Sequence, residues 1–244
     1  MNLQIWDGEM DVGWEDLKQK LLKTSDAFSE SVLRCAEFSC NPATQALVNK
    51  DSLEKFSCVV ELLAENLEDA FYHVHEDLDD NSISSLRLKS WIVLGSALEV
   101  SLQVFLSIYI TDYEKSQWQQ WVDFAAQEAK DVIFDAINKL VSDKTILPEQ
   151  GRSLKNAIRD EIKEHMKVHP VDRVMLDELI QFFSKNEIFD TDDIEEMRFI
   201  QLNRNCIHAF MERQIGNWYS LQYSIRFFVY LMELILSKLP DCEL

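Results

Sequence analysis

An all-α fold is what this sequence predicts, and three observations predict it. Turn-forming residues are scarce, with 5 Gly and 4 Pro in 244 residues, whereas a sheet protein of this size needs many tight turns. Apolar residues recur at helical spacing over long stretches. Hydrophobic residues make up 47 % of the chain, enough to fill a core and to exclude disorder of the whole. No internal repeat or low-complexity tract interrupts this pattern.

The elements follow in order. Asp11-Val-Gly leads into a helix over about 14–37, which Asn41-Pro42 breaks. Asp51 or Ser52 then caps a helix to about 78, with Leu53, Phe56, Val60, Leu63, Leu67 and Phe71 at helical spacing. Asp79-Asp80-Asn81-Ser82 is the clearest linker signal. The helix over 86–110 is the most apolar. Glu99 at its centre, with Ser96 and Gln103, argues for a buried bundle helix over a membrane span. A helix over 116–141 carries Trp118, Trp121, Val122 and Ile133, and a strongly charged one follows over 148–167. His169-Pro170 ends it, and a short helix covers 171–185. Thr191 caps a helix to about 213, and Gly216-Asn217 turns into a final helix that Pro240 stops near 239. The Phe227–Met232 stretch is apolar all round, which predicts a central position for that last helix.

The net charge is −19. Residues 1–85 hold 18 Asp/Glu against 6 Lys/Arg, or −12, and residues 86–244 hold 25 against 18, or −7. Two regions are therefore expected: an acidic N-terminal helical region over 1–85, suited to a basic protein partner, and a helical bundle over 86–244. So acidic a surface repels nucleic acid at long range, so an RNA site needs a local basic patch. Blocking a nucleic-acid-binding protein by mimicry is a further reading that charge alone allows. The start is acidic (Asp7, Glu9, Asp11) with no basic, apolar leader. The five cysteines are scattered without a CxxC pair. Both features lead one to expect a cytoplasmic protein with reduced thiols and no membrane span.

No P-loop, GxGxxG, GxSxG or HExxH is present, so the common nucleotide-binding, hydrolase and zincin readings fall away. Glu161, His165 and His169 follow helical spacing, but Pro170 takes the third residue off the helix, and no metal or cofactor is expected. Arg152, Lys155, Arg159 and Lys163 form a basic stripe that could track an RNA backbone, although neighbouring acids also fit a solvated, salt-bridged helix. On the 191–213 helix, Arg204 and His208 are four residues apart and so share a face. A guanidinium beside an imidazole suits phosphate chemistry. On position alone, a solvated helix face with an incidental Arg and His is the plainer reading of the pair.

Leu202-Asn-Arg-Asn-Cys-Ile-His-Ala-Phe210 resembles the Arg-Asn…His signature of HEPN domains. The 89–106 stretch, with its small residues and single Glu99, resembles the first HEPN helix. The resemblance covers roughly 86–240 and implies a HEPN-like antiparallel helical bundle. It also implies a metal-independent ribonuclease or RNA-binding protein, working as a homodimer in antiviral defence or toxin–antitoxin growth control. Carried over, His208 is the acid/base, Arg204 the phosphate-binding cation, Asn205 the residue that positions the pair, and Glu99 an acid that orients Arg204 or His208. The Arg–His spacing is shorter here than is usual in the family. Phe210 stands where some toxin members carry a modified Tyr. An alternative is a catalytically silent interaction module that uses residues 1–85.

Overall fold

A computed structural model describes residues 14–73, 80–115, 118–165, 170–207 and 215–241. Every regular element among them is a helix. In chain order these are α1 (Trp14–Phe38), α2 (Pro42–Leu47), α3 (Lys50–His73), α4 (Asp80–Ile108), α5 (Ile110–Glu114), α6 (Trp118–Ser142), α7 (Pro148–His165), α8 (Leu176–Lys185), α9 (Thr191–Arg204) and α10 (Trp218–Lys238). Single 3₁₀ turns span Val171–Arg173 and Asn205–Ile207. The all-α expectation is met. Short α2 was not expected: Asn41 ends α1, but its Oδ1 also accepts from Ala43 N–H at 2.9 Å and caps a new turn with Pro42 at its start.

Packing divides the chain into two compact units, Met1–Tyr109 with Val171–Leu244, and Ile110–Pro170. The division expected at residue 85 is a different one. That position lies inside α4, and Asp80, Asn81 and Ser82 form its first turn. Asp, Asn and Ser signal a helix start as readily as a loop. The charge step across the chain marks no boundary in packing, since the apolar faces of α1 and α3 join the same core as α4.

In the larger unit α4 is the central element, with α1, α3, α9 and α10 packed around it. Trp91, Leu94, Leu98 and Leu102 of α4 are fully buried. They meet a core that includes Phe28 of α1 and Phe56 of α3, whose ring centroids are 5.4 Å apart. The stretch Asn81–Ile108 is long and apolar enough to cross a membrane, and most of it is buried against these neighbours. Helix α10 is buried from Tyr223 through Val229, as its all-round apolar sequence requires. At the far end of α4, the Phe105 ring stacks on Phe183 of α8 at 5.7 Å, and Phe189 closes the cluster 5.2 Å from Phe183.

Candidate functional site

The site is built where α4, α8 and α9 meet. Glu99 sits mid-way along α4, 14 % exposed, and uses both carboxylate oxygens. Oε1 accepts the Leu176 backbone N–H at 3.0 Å, one of the donors that a helix start leaves without an internal partner. Oε2 accepts from Arg204 Nη2 at 2.7 Å. A charge-assisted bond of this length is among the stronger contacts a side chain makes. One turn earlier, Gly95 makes room for the arginine. A Cβ there would lie 2.6 Å from Arg204 Cδ and 2.8 Å from its Cβ, so the aliphatic stem lies directly on the α4 backbone. Arg204 ends 25 % exposed. Glu99 is thus paired with Arg204, as both an acid that orients the arginine and a buried carboxylate matched by a cation require. The polar strip along α4 is completed by Gln103, whose Nε2 donates to Val174 O at 3.0 Å, and by Ser96, which bonds back to Ile92 O.

A second knot lies beside the first. Asn203 is buried; its Nδ2 donates to Phe199 O at 2.9 Å and its Oδ1 accepts the Gly216 N–H at 2.6 Å. Trp91 Nε1 donates to Gly216 O at 3.2 Å. A side chain at residue 216 would lie 2.8 Å from the Trp91 ring, so only glycine fits between Trp91 and Asn203. The buried asparagine that fixes this corner is therefore Asn203. Asn205, the expected positioning residue, is half-buried and caps α9.

Helix α9 stops at Arg204 and tightens into a 3₁₀ turn at Asn205–Ile207. This corrects the expected continuous helix to residue 213. Asn203 and Cys206 both bond back to carbonyls four residues earlier, a habit of side chains that compete with the helix ladder. His208 lies outside the described residues. The described flanks, Arg204 and Asn203 before it and Gly216 after it, are each tied to the body of the unit. The buried face of α9 is set by the helices packed on it. Leu202 and Ile207 are exposed, while Asp193, Glu196, Met197, Ile200 and Asn203 are buried.

Two of those buried residues are acids that sequence reasoning missed. Glu196 Oε1 accepts the Ser224 hydroxyl at 2.6 Å, and its buried Oε2 has no hydrogen-bond partner. Burial pushes its pKa above the ordinary carboxylate range, against the Ser224 hydrogen bond. Burial first, and then the neighbouring Asp190 charge, push Asp193 up to about 6, against a backbone hydrogen bond from Asp190 and the charge of Lys238. A signal was present, since Asp193, Glu196, Met197 and Ile200 follow the i, i+3, i+4, i+7 spacing of one buried face. The cap of α9 is Asp190, whose Oδ1 accepts Asp193 N–H at 2.8 Å, one residue before the expected Thr191. On the other flank Asp177 of α8 takes Arg198, Gln201 and Gln181 of α9 and α8. Burial tends to raise the Asp177 pKa, but these hydrogen bonds win and hold it below its ordinary value.

The basic stripe belongs to the Ile110–Pro170 unit. Lys155 Nζ and Arg159 Cζ lie 5.6 and 5.0 Å from the Phe134 ring centre of α6, with Lys130 at 6.0 Å. Arg152 is exposed, and the Lys163 side chain is outside the described residues. Two of the four cations expected to track a phosphate backbone thus fold onto an aromatic ring. Among the described residues no His, Cys, Asp and Glu group could hold a metal ion.

Fold and site together define an all-helical bundle protein with a clamped arginine at a three-helix junction. No family model matches the chain, and neither a curated protein nor a solved structure matches it.

Proposed function

We propose that this chain acts on RNA as a HEPN-type, metal-independent ribonuclease. Arg204 is the phosphate-holding cation and His208 the group that moves the proton. The observation that carries the reading is the Glu99–Arg204 pair over Gly95. A guanidinium has five donors in a rigid fork, and Glu99 engages one nitrogen while a quarter of the side chain stays exposed. An arginine already held in place loses less side-chain entropy when it takes a phosphate. The chemistry is attack of a ribose 2′-oxygen on the adjacent phosphorus. The 2′-O–P bond forms, the P–O5′ bond breaks, and the 2′-proton passes to His208 and on to the leaving oxygen. Arg204 would stabilise the charge on the phosphoryl oxygens. Asn205 positions the pair. Homodimerisation, a cytoplasmic setting, a role in defence or growth control, and RNA tracking by Arg152, Lys155, Arg159 and Lys163 rest on the resemblance and the stripe.

A silent interaction module is the second reading. It is favoured by the neutralisation of Arg204 by Glu99, by the end of α9 at that residue, and by the −12 charge of residues 1–85, which suits a basic partner. Incubation of one single-stranded RNA and the DNA of the same sequence, in EDTA, separates the two. The nuclease reading predicts RNA fragments with cyclic phosphate ends and intact DNA, because DNA lacks the 2′-hydroxyl. RNA left intact at high enzyme concentration favours the module.

A further inference from the structure

The Ile110–Pro170 unit gathers three cations round one aromatic ring. Helices α6 and α7 run antiparallel, with Lys155 beside Asn138 and Gly151 beside Val141. Where they face each other, Lys130 of α6 and Lys155 and Arg159 of α7 close on the half-buried Phe134 ring, all within 6.0 Å of its centre. Lys155 donates to Asn138 Oδ1, and Arg159 Nη1 donates to Asn156 Oδ1 at 3.0 Å. Among the described residues, neither Lys155 nor Arg159 has a carboxylate at ion-pair distance. Elsewhere Lys20, Arg198 and Arg204 each rest on one.

A cation on a carboxylate is already neutralised. One held by a neutral amide keeps its full charge while its side chain is ordered, so an incoming anion meets a smaller entropy cost. Like charges brought together repel one another, and the ring offsets only part of that. The ring also shields one side of the cluster from water, which strengthens a contact between opposite charges there. Phosphoryl groups suit the cluster, because Arg offers donors in a rigid fork and Lys a point charge. The surroundings select a compact anion over a long one. An acid follows each of three members in the sequence: Asp131 after Lys130, Asp135 after Phe134 and Asp160 after Arg159. Each acid therefore lies about 100° round its helix from the cluster. Arg152 is exposed and does not join the ring. A strand laid along α7 would pass from the cations to these acids, whereas a short chain of linked phosphates keeps several charges within the cluster.

We propose that Lys130, Lys155 and Arg159 form a clamp for an oligophosphate, the chemistry shared by a nucleoside triphosphate and a free polyphosphate chain. Lys155 and Arg159 hold the phosphates from α7 and Lys130 holds them from α6, with Phe134 as the floor. In a chain of net charge −19, converging cations supply the local positive potential that an anion needs. The clamp differs from an RNA track along Arg152, Lys155, Arg159 and Lys163, because it needs Lys130 and does not need Arg152. This inference does not rest on the ribonuclease reading, because Arg204 and His208 belong to the other unit.

Isothermal titration calorimetry of the full chain with inorganic tripolyphosphate, at low ionic strength and without divalent metal, tests it. Saturable binding of one tripolyphosphate per chain is expected. Lys130→Gln, Lys155→Gln and Arg159→Gln are each expected to weaken it about tenfold, the loss of one charge-assisted contact. Arg152→Gln is expected to leave it unchanged. Asn138→Asp, an exposed change that hands Lys155 a carboxylate, is expected to weaken it several-fold. ATP in a parallel titration separates the two sources: tighter binding than tripolyphosphate assigns the clamp to a nucleotide, and equal binding assigns it to the free chain. Absence of saturable binding overturns the proposal. So does a site that Arg152→Gln weakens as much as Lys155→Gln, which is the mark of an RNA track.

Discussion

One methyl group tests how Arg204 is held. In Gly95→Ala the new Cβ would lie within 3 Å of three carbons of the arginine stem, two of them close to its backbone, so the side chain cannot simply swing away. Overpacking of this kind costs about 1–3 kcal/mol, readable as a lower urea midpoint. Arg204→Ala leaves Glu99 largely buried with only the Leu176 N–H, and a loss of about 1–3 kcal/mol is expected by the same measurement. The buried acids give a pH prediction with a definite sign. Native Asp193 holds its proton up to about pH 6, whereas the unfolded chain releases it near 3.8. Between those values the native state binds more protons, so this group's contribution is complete below the lower value and is lost as pH rises through the upper one. Its full span is at most about 3 kcal/mol. Asp193→Asn should therefore raise stability at pH 7 relative to wild type and change little at pH 4; urea midpoints at the two pH values decide it. Glu99 was legible as a candidate because a lone carboxylate on an apolar helix must find a partner. Asp193 and Glu196 share a spacing with Met197 and Ile200, but acids in a run such as Asp192-Asp193-Ile-Glu195-Glu196 look like a solvated face until the facing helix is known.

Most elements were legible from periodicity, because long amphipathic helices with few glycines and prolines leave little ambiguity. The errors fell where Asn, Asp and Ser have two uses. Asp80-Asn81-Ser82 opens α4 where a linker was expected, and Asn203 with Asn205 ends α9 where a continuous helix was expected. Ser85→Pro separates helix from linker at the first of these places. Ser85 is exposed on α4, so a proline there removes a ladder hydrogen bond and clashes with the preceding turn. A loss of about 3 kcal/mol in denaturant unfolding is expected; a linker would take the change silently. At the α9 end, what sequence could not supply is the long-range tie from Asn203 to Gly216 and Trp91, because no local spacing announces a contact between residues 91 and 216.

For the whole molecule, charge and packing divide the chain differently. The acidic first third looked separable, but α1 and α3 cover α4, the most apolar helix. A fragment of residues 86–244 should therefore aggregate or lack cooperative unfolding, whereas an independent domain would melt as the full chain does. The central claim is that Arg204, clamped by Glu99 at the α4–α8–α9 junction, serves RNA chemistry with His208. The most direct test is RNA cleavage in EDTA by the wild type beside Arg204→Ala, His208→Ala and Glu99→Gln, each checked for retained helix content. The account predicts cleavage by the wild type, loss in the first two, and a reduced rate in Glu99→Gln, whose amide keeps the shape but not the charge that orients the arginine. Intact RNA with the wild type, or equal cleavage by all four proteins, would contradict it.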